Sequence, residues 1–140
     1  MSPTEPGSAA AANAAHPPAF AAAECILLVT RRRNGAEVAT PVWYVLWNGM
    51  ACLRTATRFG KVKRLGNDPR VRYAPCDWDG NVHGPWLAGC AELIAAGDER
   101  AAAIDRLLEA KYGERRAAMS RLMLAEGMEP VFVAITPGPR

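Results

Sequence analysis

Residues Met50–Arg72 read MACLRTATRFGKVKRLGNDPRVR. The segment divides into a short strand ending at Arg54-Thr55, a tight turn, a basic helical turn carrying Lys61, Lys63 and Arg64, and a new strand opening at Arg70. The exposed amides of a first helical turn and the helix dipole favour negative charge, so a strand running into a helix N-terminus beside clustered cations suits the grip of an anion. With Thr57 as the expected cap of a helix over residues 58–65, Lys61 and Arg64 lie about 60° apart on the helical wheel and converge, whereas Lys63 falls on the far side. Val62 and Leu65, also about 60° apart, pin the helix to the rest of the fold.

Charge concentrates around this segment. From Arg31 to Arg72 ten Lys/Arg face two acids (Glu37 and Asp68), a local excess of +8 in a chain of net +3. That asymmetry points to an anionic ligand, with nucleic acid as the competing class. At 140 residues, half of them apolar, one domain with a real core is expected. Cys25, Cys52, Cys76 and Cys90 lie far apart in apolar runs with no C-x-x-C pair. They read as small buried thiols of a reducing, cytoplasmic environment rather than as a metal or disulfide set. Residues 1–19 are rich in Ala and Pro and lack a basic start and a leucine-rich stretch. A disordered tail is expected there, not a signal peptide, followed by one domain over residues 20–140. No apolar run reaches the roughly 18 residues needed to span a membrane.

Outward from the basic segment, the chain reads as a meander. Residues 24–32 form an apolar strand, Asn34-Gly35 a hairpin turn, and residues 37–47 its partner. In that partner Val38, Thr40, Val42, Tyr44 and Leu46 share one face, and Ala39, Pro41, Trp43, Val45 and Trp47 the other. Pro41 cannot donate to a ladder and implies an edge, a bulge or a backbone opening. Asn48-Gly49 returns the chain into the Met50 strand. A fourth strand covers 70–76 and a fifth 84–94, in which Gly89 suggests a bulge or close backbone approach. Asp77–Asn81 begins like a calcium loop, but Gly80 and Ala88 stand where such a loop needs other residues, so it reads as a turn. Asp98 then caps a helix reaching Tyr112, a second helix covers 114–125 with Met119, Leu122 and Met123 on one face, and a sixth strand covers 131–136. Six strands with helices only as insertions predict a mainly β antiparallel barrel with two helices in the C-terminal half. No G-x-G-x-x-G or P-loop is present.

The ordered set T-P-V-W (Thr40, Pro41, Val42, Trp43), R-T-A (Arg54, Thr55, Ala56), G-K-V-K-R-L (Gly60–Leu65) and D-P-R-V (Asp68–Val71), with G-P-W-L-A-G-C-A-E-L (Gly84–Leu93) and K-Y-G (Lys111–Gly113), resembles the split β-barrel flavin/deazaflavin oxidoreductases. This is the pyridoxamine 5′-phosphate oxidase-like superfamily, and the likeness is to its deazaflavin (F420)-dependent branch, over roughly residues 22–136. The resemblance implies a six-stranded split β-barrel of the FMN-binding type and a homodimer with cofactor sites at the interface. It further implies a cofactor phosphate on Lys61, with Thr55 beside it and Lys63 and Arg64 on further anionic parts. Thr40–Trp43 would lie along the tricyclic ring. Where FMN binders of the oxidase branch carry Ser-Arg-Lys, this chain has Phe59-Gly60-Lys61, so only the lysine carries over.

Cations that cannot all meet at one point fit the phosphodiester and polyglutamate tail of F420 better than the single phosphate of FMN. The expected function is hydride transfer from reduced F420 to a small hydrophobic or conjugated substrate; the alternatives are an FMN oxidoreductase or a non-catalytic F420 carrier. A nucleic-acid module stacking bases on Trp43, Tyr44 and Trp47 is the third class, and the resemblance argues against it. No Ser/His/Asp set, carboxylate pair or metal cluster is visible; His83 reads as a loop residue, His16 as part of the tail, and the catalytic residues stay unassigned. Among Trp43, Trp47, Trp78 and Trp86, the first is favoured at a site because Pro41 opens the backbone beside it.

Overall fold

The computed structural model describes residues 15–138. A short helical turn, α1 (Ala19–Ala22), leads into β1 (Cys25–Arg31), β2 (Glu37–Trp43), β3 (Val45–Trp47), β4 (Met50–Ala56), α2 (Gly60–Asn67), β5 (Arg70–Cys76), β6 (Leu87–Ala95), α3 (Glu99–Tyr112), α4 (Glu114–Ala125) and β7 (Pro130–Pro137). The strands form one antiparallel sheet in the order β2-β1-β5-β6-β7-β4-β3. The two ends of that order, β2 and β3, are consecutive in the chain and separated only by Tyr44. The expected second strand over 37–47 is therefore two strands, which corrects the count of six to seven and explains it. One strand pairs with β1, breaks at Tyr44, and continues against β4, so the sheet curls into a barrel that is split at this residue.

Two things hold the break. The Asn48-Gly49 turn places both residues at positive φ (56° and 80°), which tightens the β3–β4 hairpin. At Tyr44 itself the backbone groups leave the ladder and are satisfied by the end of α3. The Tyr44 N–H donates to the Tyr112 hydroxyl (2.9 Å), and the Tyr44 carbonyl accepts from Lys111 Nζ (2.9 Å). Tyr112 has a single proton to give, and its hydroxyl lies 2.6 Å from the Glu24 carbonyl and 3.0 Å from that of Tyr44. With Lys111 already on Tyr44, donation to Glu24 leaves every buried group here with a partner.

The strand alternation read from the sequence sorts the core into two layers. Val42 and Tyr44 face the barrel interior with Ile26, Leu28, Leu53, Tyr73, Val133 and Ile135, and Leu46 packs against them. Val45 faces outward with Cys52, Phe132, and the Ile104, Leu108 and Tyr112 stripe of α3, with Trp43 and Trp47 beside them. Asp98 caps α3 through the Arg100 N–H at 2.8 Å. Gly89 is a close approach: a Cβ there would come 2.8 Å from both Ile135 Cγ2 and the Thr136 carbonyl oxygen.

Of the expected tail over residues 1–19, the first fourteen lie outside the described residues. His16, by contrast, is 3 % exposed and hydrogen-bonds the Tyr73 hydroxyl at 2.7 Å, with Phe20 against the same ring. Packing on the barrel thus begins before residue 20. No helix among the described residues is long and apolar enough to cross a membrane.

Candidate functional site

The basic turn folds somewhat differently from expectation. The helix α2 starts at Gly60, two residues later than expected, with Phe59 at the cap position and no side-chain cap. Thr57 is exposed and its N–H is spent on the Glu129 carbonyl. Uncapped, the first amides of α2 keep their capacity to receive an anion.

Beside this helix end opens a cleft of about 320 Å³. One wall is β2, with Thr40, Pro41, Val42 and Trp43; β2 is a terminal strand of the sheet order, which is where a proline is tolerated. Arg54 and Thr55 come from the end of β4, and Phe59 and Lys61 from the start of α2. The opposite wall is apolar: Met119, Leu122 and Met123 of α4, with Met128 after it. Trp78 closes one side, tilted against Trp43 with ring centroids 5.8 Å apart, and Trp43 in turn stacks on Tyr112 at 4.6 Å and 13°.

Seven of the nine expected binding residues, Thr40, Pro41, Val42, Trp43, Arg54, Thr55 and Lys61, therefore line one cleft. Lys63 and Arg64 do not. Lys63 is exposed on the outer side of α2, as the wheel indicated. Arg64 folds back over Gly60, where a Cβ would meet its Nη1 at 2.8 Å, and its Nε donates to Thr30 Oγ1 at 2.6 Å. It stays close enough to act on Lys61: burial, then the Arg64 charge, push the Lys61 ammonium below its ordinary pKa. Lys61 makes no ion pair among the described residues; its ammonium sits 5.0 Å from the Phe59 ring centroid. A lysine that is partly desolvated beside a second cation and lacks a counter-charge gains from a bound anion on both counts.

The α4 wall and Trp78 were not assigned to a site from the sequence. The only hint was that Met119, Leu122 and Met123 share a helix face, which reads equally well as core. In the fold that face meets the cleft, with Met119 46 % and Leu122 64 % exposed. His83 is exposed and absent from the cleft, and Glu126 is the sole carboxylate on the cleft wall among the described residues. These residues hold no cluster of three or more His, Cys, Asp or Glu able to bind a metal.

No family model and no curated protein matches the sequence. Solved structures do match the fold. The heme storage protein HutZ from Vibrio cholerae superposes with a TM-score of 0.67 at 11% identity, over 85% of this chain and 84% of that one. An F420 reductase superposes at 0.54 and 17% identity, over 82% and 86%. A pyridoxamine 5′-phosphate oxidase-related, FMN binding protein from Nostoc punctiforme PCC 73102 superposes at 0.53 and 15% identity, over 98% and 81%.

The chain has the split β-barrel fold of the pyridoxamine 5′-phosphate oxidase-like proteins. Within that split barrel, the Tyr44 break and the cleft lie next to one another: Trp43, the last residue of β2, lines the cleft, and Tyr44 follows it.

Proposed function

We propose that the cleft binds a flavin-type cofactor, reduced F420 in particular, and that the protein is an oxidoreductase passing a hydride to a small, hydrophobic or conjugated acceptor. One observation carries the reading: a slot lined by Trp43, Trp78 and three methionines also takes in Lys61, which has no ion pair among the described residues, beside an uncapped helix N-terminus. A flat apolar ring system with an anionic tail matches both ends. The structural neighbours include an F420 reductase and an FMN binding protein, which supports the same class.

When bound, the cofactor supplies the hydride chemistry; this chain supplies binding, orientation and exclusion of water. Lys61 and the first amides of α2 hold the phosphate, with Thr55 beside them. Thr40–Trp43 carry the ring, and the thioethers of α4 adapt to the acceptor. Arg64 and Lys63, outside the cleft on the same helix, meet the outer part of a polyanionic tail, which favours F420 over FMN. Leu122 and Trp78 on the cleft walls are largely exposed, and a homodimer would cover them at its interface.

A second reading, a cofactor carrier without turnover, is favoured by the lack of any buried general acid among the described cleft residues. Spectroscopic titration with F420 and with FMN, followed by mixing the reduced deazaflavin complex with conjugated acceptors, separates the readings. Turnover supports the oxidoreductase, tight binding without oxidation supports the carrier, and tight FMN binding with none of F420 reverses the cofactor assignment.

A further inference from the structure

The main cleft has two ends, and the sheet register tells them apart. Thr30 of β1 pairs with Val38 of β2, and Arg64 of α2 donates to Thr30 Oγ1, so the helix carrying Lys61 lies at the Val38 end of β2. At the opposite end Cys25 pairs with Trp43 on one side and with Cys76 on the other, and the chain leaves Cys76 straight into Asp77-Trp78. Thr40 and Trp43, on one strand, are separated by about 10 Å. The α4 wall follows the same axis. Met119 and Met123 share a small space beneath α4 with Trp43, while Glu126, past the end of α4, is tied through its carbonyl to Arg58 just before α2.

The two ends differ in chemistry. Lys61 and Glu126, charged residues of the cleft wall, belong to the α2 end, and the Arg54 guanidinium is turned to Ser120 Oγ at 2.6 Å. What remains at the Trp43 end is two indoles and the thioethers of α4. Of the two indoles, Trp43 already has Tyr112 stacked on it and the Arg115 guanidinium 5.6 Å from its ring centroid. Trp78 is 53 % exposed, and side-chain bonds hold its turn in place. The Asp77 carboxylate accepts from the Asp79 N–H (2.9 Å), the Asn81 N–H (3.0 Å) and Asn81 Nδ2 (3.0 Å). A fixed indole beside unbranched, polarisable side chains accommodates flat apolar rings of varied outline.

We infer that the Trp43 end is the subsite of the hydride acceptor, that the acceptor class is a flat, uncharged conjugated ring, and that Trp78 selects it by stacking. The inference rests on the reading of Lys61 as the cofactor's phosphate grip: a cofactor anchored at the α2 end and extended along β2 brings its far ring edge to Trp78. A charged acceptor is disfavoured there, because the indoles and thioethers leave the burial of its charge uncompensated. A partner subunit laid over Trp78 and Leu122 would enclose this end from outside.

The test is an NMR titration of the F420-loaded protein with naphthamide (flat and neutral), naphthoate (flat and charged) and cyclohexanecarboxamide (saturated and neutral). The expected result is a dissociation constant for naphthamide at least about fivefold below those of the other two. Trp78→Ala raises it at least about fivefold, and Trp78→Phe, which keeps a ring, stays within about twofold of wild type. The F420 dissociation constant shifts less in Trp78→Ala than the naphthamide one does. Equal affinities for the flat and the saturated amide overturn the proposal, as does a Trp78→Ala protein that binds naphthamide like wild type. So does an equally large loss for F420 in Trp78→Ala, which would give Trp78 to the cofactor. If wild type does not bind F420, the cofactor reading fails by itself, and naphthamide titration of the same proteins without cofactor decides the role of Trp78. A loss in Trp78→Ala that Trp78→Phe rescues supports ring selection there, and no loss contradicts it.

Discussion

The hydroxyl of Tyr112 receives the backbone N–H of Tyr44 at 2.9 Å, across 68 residues of sequence. A side chain at the end of α3 thereby replaces a neighbouring strand at the point where the barrel splits. Tyr112→Phe keeps the ring that stacks on Trp43 and deletes only the hydroxyl. The Tyr44 N–H is then buried without an acceptor, which costs about 1–3 kcal/mol. Urea unfolding should show a lower midpoint with an unchanged m-value; a loss below roughly 0.5 kcal/mol, the range of neutral substitutions, would mean that the bond does not hold the split.

Gly89 is a position on β6 with no room for a side chain. Gly89→Ala forces a methyl against Ile135 Cγ2 and the Thr136 carbonyl, and neither β7 backbone nor the packed Tyr73 ring at 3.2 Å can move freely. Overpacking of this kind destabilises by about 1–3 kcal/mol. Gly97→Ala, where a Cβ meets nothing within 4 Å, serves as the control and should stay within about 0.5 kcal/mol of wild type.

Most of the fold was legible because strand alternation and helix periodicity are local signals. The inward set Val42, Tyr44 and Leu46 and the outward set Trp43, Val45 and Trp47 follow from a period of two alone. Asp98 and the Asn48-Gly49 turn were equally readable from their own chemistry. The break at Tyr44 was not, since it depends on a partner 68 residues away. Thr57 misled because the chain makes one more turn before the helix: the Phe59 N–H bonds the Ala56 carbonyl, and Phe59 stands at the cap position without a polar side chain. In the cleft, Thr40–Trp43, Arg54, Thr55 and Lys61 were found by their order along the chain. The Met119–Met123 face was recognised but left unassigned, because a helix's apolar stripe does not say whether it meets core or ligand.

Alkaline pH should weaken the fold. Burial raises the Cys25 thiol to about 12, Cys52 to about 12 and Cys76 to about 11, from an ordinary value near 9. In the unfolded chain these thiols lose their protons near pH 9, while in the fold they keep them. The unfolded state then binds fewer protons, and stability present below pH 9 is lost as pH rises toward 11–12. Lys111 acts the other way: burial lowers its ammonium to about 8, so between pH 8 and its unfolded value the unfolded state binds the extra proton and stability rises. Three thiols outweigh one amine. Urea midpoints at pH 7.5 and 10 should therefore fall for wild type and fall more steeply for Lys111→Met; a midpoint that rose with pH would contradict the burial of the thiols.

The Lys61 grip is tested most directly by the equilibrium dissociation constants of F420 and FMN for wild type and Lys61→Ala at low salt, with Lys63→Ala alongside. The account predicts tighter binding of F420 than of FMN. It also predicts a loss of about tenfold or more for Lys61→Ala, as expected for a charge-assisted contact, and a smaller loss for Lys63→Ala confined to F420. Unchanged affinities in Lys61→Ala, in a protein whose unfolding midpoint matches wild type, would contradict it.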